Sequence, residues 1–371
     1  MADPLTFHTV RLGELRDPAL YARWDDVDAI AEMKPEKRRA FLANPCARGD
    51  DDPVQLLAVR GRHPLGRIDV AAGRLVVRGA ATPIGWCSLL TVPEQHRHTL
   101  AGAFLAMRAA TLFPNTGAHG PSRMAVPLYE KLKFADFAMP RLILMRRSRS
   151  VLEKKLGTGG LSRVASMLVD AGLACQRALL AAMRTASAGG VSVEPVSRVP
   201  EALDVQLARG EEPVKVWRSA AWLNWMLEHS FDDPPPEQPE FRREACLLRR
   251  RGEIVGYFVT KSRFYPVASA SGYRDVLLGS LQDWQLFEPV MDERAIALLA
   301  LDRLSRVGVD AMEVCLPPGP SVAALRRLGF VRLGDFHAMF KASPASPLSA
   351  PELMRGDAWR LRPGDGDNLF A

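Results

Sequence analysis

The sequence has no run of about 20 apolar residues, so nothing in it reads as a membrane span. Cysteine is scarce: Cys46, Cys87, Cys175, Cys246 and Cys315 are the five in 371 residues. They are odd in number and scattered, with no Cys-x-x-Cys pair and no Cys/His ligand spacing. That argues against a disulfide framework and a structural metal site, and reduced, mostly buried thiols fit a cytoplasmic chain. The start, Met1-Ala-Asp-Pro-Leu5, lacks the basic residues and apolar run of a secretory signal. The glycine-rich fingerprints for nucleoside triphosphates and dinucleotides are missing too. No aromatic-interleaved basic patch appears, which disfavours a nucleic-acid partner.

What is present is ordinary for a globular chain: 47% hydrophobic and 25% charged residues. The length is too great for one core and suits two domains. The net charge of +7, mostly from arginine in an Ala/Arg/Leu-rich composition, attracts anions.

Along the chain, Phe7–Leu15 reads as a strand and Ala19–Glu32 and Lys34–Leu42 as helices. Val54–Val59, Arg67–Val77 and Ile84–Val92 read as strands, the last running into PEQHRHTL and a helix over Ala101–Thr111. Leu128–Leu132 reads as a short helix and Arg141–Arg146 as a closing strand. After the break at Gly157-Thr-Gly-Gly160, residues Leu161, Val164, Leu168, Cys175, Leu179 and Met183 share one helix face. Residues 148–190 are therefore expected to be a helical connector packed between domains. The pattern then restarts with a strand at Val191–Val196 and a helix over Val214–Glu228, whose Trp217, Trp222 and Trp225 are expected in the core. A loop at Asp232–Pro239, a hairpin across Arg249–Gly252 and a strand over Asp275–Trp284 follow. Next come a helix over Asp292–Val307, a strand at Ala311–Leu316, a helix over Ser321–Leu328 and a strand at Arg332–Phe340. The last stretch, 343–371, is expected to pack poorly unless it docks.

Two segments are alike. PLYEKLKFADFAMPRLILMRR starts at Pro127 and AALRRLGFVRLGDFHAMFKA at Ala323. Each is a short helix, a Leu-x-Phe stop, a turn and a strand. Aligned on Phe134 and Phe330, Leu132 matches Leu328, Lys133 matches Gly329 and Tyr129 matches Leu325. One copy per half argues for a duplicated domain.

The first copy resembles the closing part of the GNAT acyltransferases, where Tyr-x-x-x-Gly-Phe is common. Upstream, the stretch from Thr91 to Leu105 resembles that superfamily's strand–loop–helix acyl-CoA motif. Val92 and Pro93 fit it, His96 or Arg97 takes a Gln/Arg place, Ala101 a small position, and Thr99 stands where a glycine is usual. Phe113-Pro-Asn115 resembles a triplet of larger two-domain bacterial members.

The resemblance implies an α/β (α+β) chain with two GNAT-like domains in tandem, each a mixed, mainly antiparallel sheet flanked by helices. The expected boundaries are 1–147 for a domain holding acyl-CoA, 191–342 for a degenerate copy, and 343–371 for a tail. It also implies an acyl-CoA-dependent, acetyl-CoA foremost, N- or O-acyltransferase. The acceptor would be a small molecule, sugar or amine in the cleft between domains. Leu90 and Val92 would offer backbone donors to the thioester carbonyl. Arg97, His98, Thr99, Leu100, Ala101 and Gly102 would hold the pyrophosphate, with Asn115 on the CoA side. Tyr129 would protonate the leaving thiolate as general acid, or else be a packed aromatic.

The physics of that loop is independent of the name. A turn entering a helix offers unpaired N–H groups and a positive dipole end to an anion. In the second half Leu325 replaces the tyrosine, and Glu288 and Asp292 would repel a phosphate. His119, in a Gly/Pro-rich loop, is expected to face solvent. No general base stands out. Two rival readings are a Fem-type transferase using aminoacyl-tRNA, and an inactive ligand-binding protein of the same fold.

Overall fold

A computed structural model of the chain describes residues 3–25, 30, 32–148, 160–210, 212–229, 242–266 and 275–365. The expected loop at Asp232–Pro239 and the glycines at 157 and 159 lie outside them. In chain order the strands are β1 (Leu5–Arg11), β2 (Pro53–Arg60), β3 (His63–Val77), β4 (Ala80–Thr91), β5 (Asn115–His119), β6 (Ala135–Asp136), β7 (Met139–Met145) and β8 (Ser192–Val196). They continue with β9 (Val214–Val216), β10 (Arg242–Arg250), β11 (Glu253–Tyr265), β12 (Val276–Leu286), β13 (Ala311–Cys315), β14 (Val331–Phe336), β15 (Ala338–Ala342) and β16 (Trp359–Arg360). The helices used below are α1 (Pro35–Leu42), α2 (Ala101–Ala109), α3 (Val126–Lys131), α4 (Gly160–Ser187), α5 (Ala220–Glu228), α6 (Glu293–Val307) and α7 (Pro320–Arg327).

Two compact units result. The first comprises Met1–Ala138, Pro200–Asp233 and His337–Ala371; the second comprises Met139–Val199 and Pro234–Phe336. Sheet order in the first is β1-β2-β3-β4-β5-β15-β6, with β9 against β3 and β16 against β9. Sheet order in the second, read from its far edge, is β8-β10-β11-β12-β13-β7-β14. The two match position by position. Only the β4–β5 and β12–β13 pairs along these paths are parallel.

The duplication read from the sequence is thus a duplication of sheet topology, with one departure from the expected boundaries. The strand beside β13 is β7, from the stretch assigned to the first domain. The strand beside β5 is β15, from the stretch assigned to the second. Each unit completes its sheet with a strand carried over from the other's run of sequence. The tryptophan helix α5 also belongs to the first unit rather than the second.

Burial explains the elements. In the first unit Leu56, Ile68, Val70, Cys87, Leu105, Phe113 and Met339 form one core between the sheet and α2. In the second, Phe258, Trp284, Ile296, Leu299, Val314 and Phe330 pack around α6. That helix is fixed at both ends: Asp292 accepts from the Ala295 N–H at 2.8 Å, and Gly308 closes it at φ 87°. Trp222 and Trp225 are core residues as expected.

Several local readings change. The described part of 19–32 holds a single 3-10 turn, Leu20–Arg23. The first strand ends at Arg11 and gives way to a 3-10 turn at Gly13–Arg16. The tail docks: Leu348, Leu353, Trp359 and Leu361 are buried and β16 joins the first sheet. The stripe on α4 is not a packed seam. Val164, Leu168, Cys175 and Leu179 are exposed, whereas Leu180 and Met183 pack into the second unit's core. By length and composition Val164–Ser187 could cross a membrane, though Asp170, Arg177 and Arg184 interrupt it, and one such helix does not make a span.

Candidate active site

Strands β4 and β5 are paired only from Gly85↔Thr116 to Cys87↔Ala118. β4 runs four residues further, to Thr91. Over that stretch it departs from regular geometry. Ser88 opposes Asp69 and Thr91 opposes Arg67, so β4 carries one extra residue, and Leu89 turns left-handed at φ 47°. Such a bulge bends the strand that carries it, and beyond Cys87 β4 has no partner on β5, which ends at His119. Leu90 and Val92, the expected backbone donors, stand on the parted segment, both half-buried.

The chain then forms a 3-10 helix, Glu94–Thr99, and enters α2 through Leu100. The glycine missing at Thr99 has a local explanation. The left-handed residue is the next one, Leu100, at φ 60°. Thr99 keeps its side chain in the turn, donating from its hydroxyl to the His96 carbonyl at 2.6 Å and accepting from the Ala101 N–H at 3.4 Å. The helix's own first bond runs from the Phe104 N–H to the Leu100 carbonyl at 3.1 Å. With the Ala101 N–H given to Thr99, those of Gly102 and Ala103 open the positive end of a nine-residue helix. A side chain on Gly102 would press on Val92 at 3.3 Å. Arg97, His98 and Leu100 are exposed around this entry, and the Arg97 Nε donates to the Val92 carbonyl at 3.4 Å.

Tyr129 lies on α3, 3% exposed, in the cluster that also contains Cys87 of β4 and Ala118 of β5. Its ring stands edge-on to Phe134, 4.9 Å between centroids. The turn after it repeats in the second unit. Lys133 at φ 62° takes the left-handed place that Gly329 fills at φ 94°. There is no glycine at Lys133, but the left-handed backbone conformation is kept. Leu325, wholly buried, is the counterpart of Tyr129. The helix start that corresponds to α2 is that of α6, where the Asp292 carboxylate caps the Ala295 N–H and places a negative charge at the helix end.

Two residues are placed differently from expectation. Asn115 is fully buried at the head of β5. Its amide donates to the Pro83 carbonyl (2.9 Å) and to Thr82 Oγ1 (3.2 Å), and its carbonyl accepts from Ser346 Oγ (2.6 Å). It secures the tail to the sheet and offers nothing toward the loop before α2. His119 does not face solvent. It closes β5 on the sheet's other face, 6% exposed, with Trp86 edge-on at 5.8 Å. Gly117 gives Trp86 its room, since a Cβ there would come within 2.5 Å of the indole. Burial, reinforced by the nearby Arg218, holds the His119 pKa down to about 3 against contacts with the Pro363 and Asp365 backbone. The imidazole is therefore neutral at ordinary pH. Arg218 pairs with the buried Asp365, whose carboxylate also accepts from the Arg362 N–H at 2.7 Å. No signal near position 119 in the sequence announces this, because the covering groups come from the tail.

No protein family's sequence profile matches the chain, and no curated protein matches it. Solved structures do. The N-myristoyltransferase of Saccharomyces cerevisiae with bound myristoyl-CoA is similar at a TM-score of 0.52 and 11% identity, over 96% of this chain and 84% of that one. A GCN5-related N-acetyltransferase from Anabaena variabilis gives 0.50 and 10%, over 91% and 73%. A probable N-acyltransferase from Enterococcus faecalis gives 0.50 and 10%, over 92% and 73%. At such identities the likeness is one of fold: the chain has the GNAT fold in tandem.

Proposed function

We infer that the chain is an acyl-CoA-dependent N- or O-acyltransferase whose donor site lies in the first unit. The observation that carries this is the parting of β4 from β5 beside the open N-terminus of α2. Pantetheine would lie in the gap. The Gly102 and Ala103 N–H groups, aided by Arg97 and His98, would take the pyrophosphate. The parted segment of β4 at Leu90–Val92 would direct backbone N–H groups at the thioester oxygen as it becomes an oxyanion. Tyr129, on the same sheet face, would return a proton to the departing thiolate. The second unit supports the assignment by contrast, because Leu325 and Asp292 remove the acid and fill the helix end.

Titration calorimetry with CoA and acetyl-CoA tests the reading. Binding in the micromolar range, abolished when Gly102 is enlarged to Val, is the expected result. Absence of heat with either ligand at high micromolar concentration would refute it.

A further inference from the structure

Beneath the β4 bulge lies a closed polar chain that the donor site does not use. Lys37, on α1, is 1% exposed and its Nζ lies 2.7 Å from Asp69 Oδ2 on β3. The same Nζ donates to Ser88 Oγ on β4 at 3.2 Å. Asp69 Oδ1 accepts from Gln55 Nε2 at 3.0 Å, and Gln55 Oε1 accepts from the Tyr21 hydroxyl at 3.1 Å. Asp69 and Gln55 are wholly buried and Tyr21 and Ser88 nearly so. Burial pushes the Tyr21 phenol up to about 12, so it remains a donor.

The place of this chain is what matters. Ser88 is the last β4 residue in regular register, opposite Asp69 itself, and Leu89 turns left-handed immediately after it. A leucine in that conformation is disfavoured and persists only where its surroundings impose it. A buried ion pair is a poor source of stability, since an apolar pair of equal volume often serves as well or better, whereas it can specify one geometry over others. Here the pair joins a helix and two adjacent strands at the residue that starts the bulge.

We propose that Lys37 and Asp69 are positioning residues: through Ser88 they fix where β4 leaves its register, and so aim the Leu90–Val92 backbone at the thioester. This rests on the acyl-CoA reading for its catalytic consequence, but not for its structural one. The decisive variants are Ser88→Ala and the paired Lys37→Met/Asp69→Leu, which removes both charges together and leaves neither one stranded. Thermal unfolding first establishes that each is folded. Amide hydrogen exchange over residues 86–92 is then compared with the rest of the first sheet. Exchange there rises by roughly tenfold or more in both variants, as local opening becomes easier, while β2 and β3 stay protected. Kinetics with acetyl-CoA show kcat falling about tenfold to a hundredfold, as for a misplaced oxyanion donor, with the affinity for free CoA unchanged.

Unchanged exchange over 86–92 in a folded paired variant overturns the proposal, whatever the activity. Unchanged kcat alongside raised exchange also overturns its catalytic half. If the wild type binds no CoA, the acyltransferase reading fails, and the exchange experiment still decides the positioning role.

Discussion

Tyr129 and Leu325 hold equivalent places in the two units. The Phe134 N–H closes on the Tyr129 carbonyl at 3.0 Å, and the Phe330 N–H closes on the Leu325 carbonyl at 3.2 Å. The backbones agree and the side chains do not, so a hydroxyl is present in one copy only. Tyr129→Phe keeps the ring contact with Phe134 and removes that hydroxyl. Turnover of acetyl-CoA is expected to fall about a hundredfold, as for loss of a general acid, with CoA affinity within a factor of two. A parallel loss of binding and turnover in stopped-flow and calorimetric assays would assign Tyr129 to packing instead.

The helix start of α6 offers the converse. Asp292→Ala removes a cap and should cost about 1 kcal/mol of stability in urea unfolding. It leaves acyl-CoA affinity untouched, because the proposed donor site is in the other unit.

His119 gives a pH signature. Its folded pKa of about 3 lies below the ordinary value of 6.5, so between those values the unfolded chain binds a proton that the folded one does not. Its contribution is therefore intact above pH 6.5 and is lost as pH falls toward 3, by up to about 1.4 kcal/mol per pH unit. His119→Phe, compared with the wild type by urea unfolding at neutral and at mildly acidic pH, should show a shallower decline. Parallel pH profiles for the two proteins would mean that His119 is protonated where it lies.

Leu100 enters α2 with a positive φ and its side chain exposed. Leu100→Gly relieves left-handed strain of about 1–2 kcal/mol while adding backbone freedom worth about 0.5–1 kcal/mol. A small rise in melting temperature is expected, and Leu100→Val, branched at Cβ, should lower it.

Local features were legible in the sequence and non-local ones were not. The strand–loop–helix entry and the Tyr129/Leu325 correspondence are written in contiguous residues, and the structure keeps both. The left-handed turn into α2 could not be read, because a leucine at position 100 gives no local sign of a positive φ. The destination of Met139–Met145 could not be read, since an apolar strand has the same pattern in either sheet. Burial of His119 and Asn115 depends on Pro363, Asp365 and Ser346, more than 200 positions away. The stripe on α4 was correctly seen as apolar, but periodicity does not say how much of a face meets the core: Met183 of the stripe does so, beside Leu180, while Val164, Leu168 and Leu179 stay exposed.

The exchanged strands also set a timetable. During synthesis, β5 waits for a neighbour, β15, whose residues emerge more than 200 positions later. The first unit's sheet therefore cannot close until residues 338–342 have left the ribosome. Division of the gene near residue 190 would strand β7 and β15 on the wrong fragments. Such halves should be soluble only when made together, and a genome carrying them as separate proteins would have to keep them as a pair.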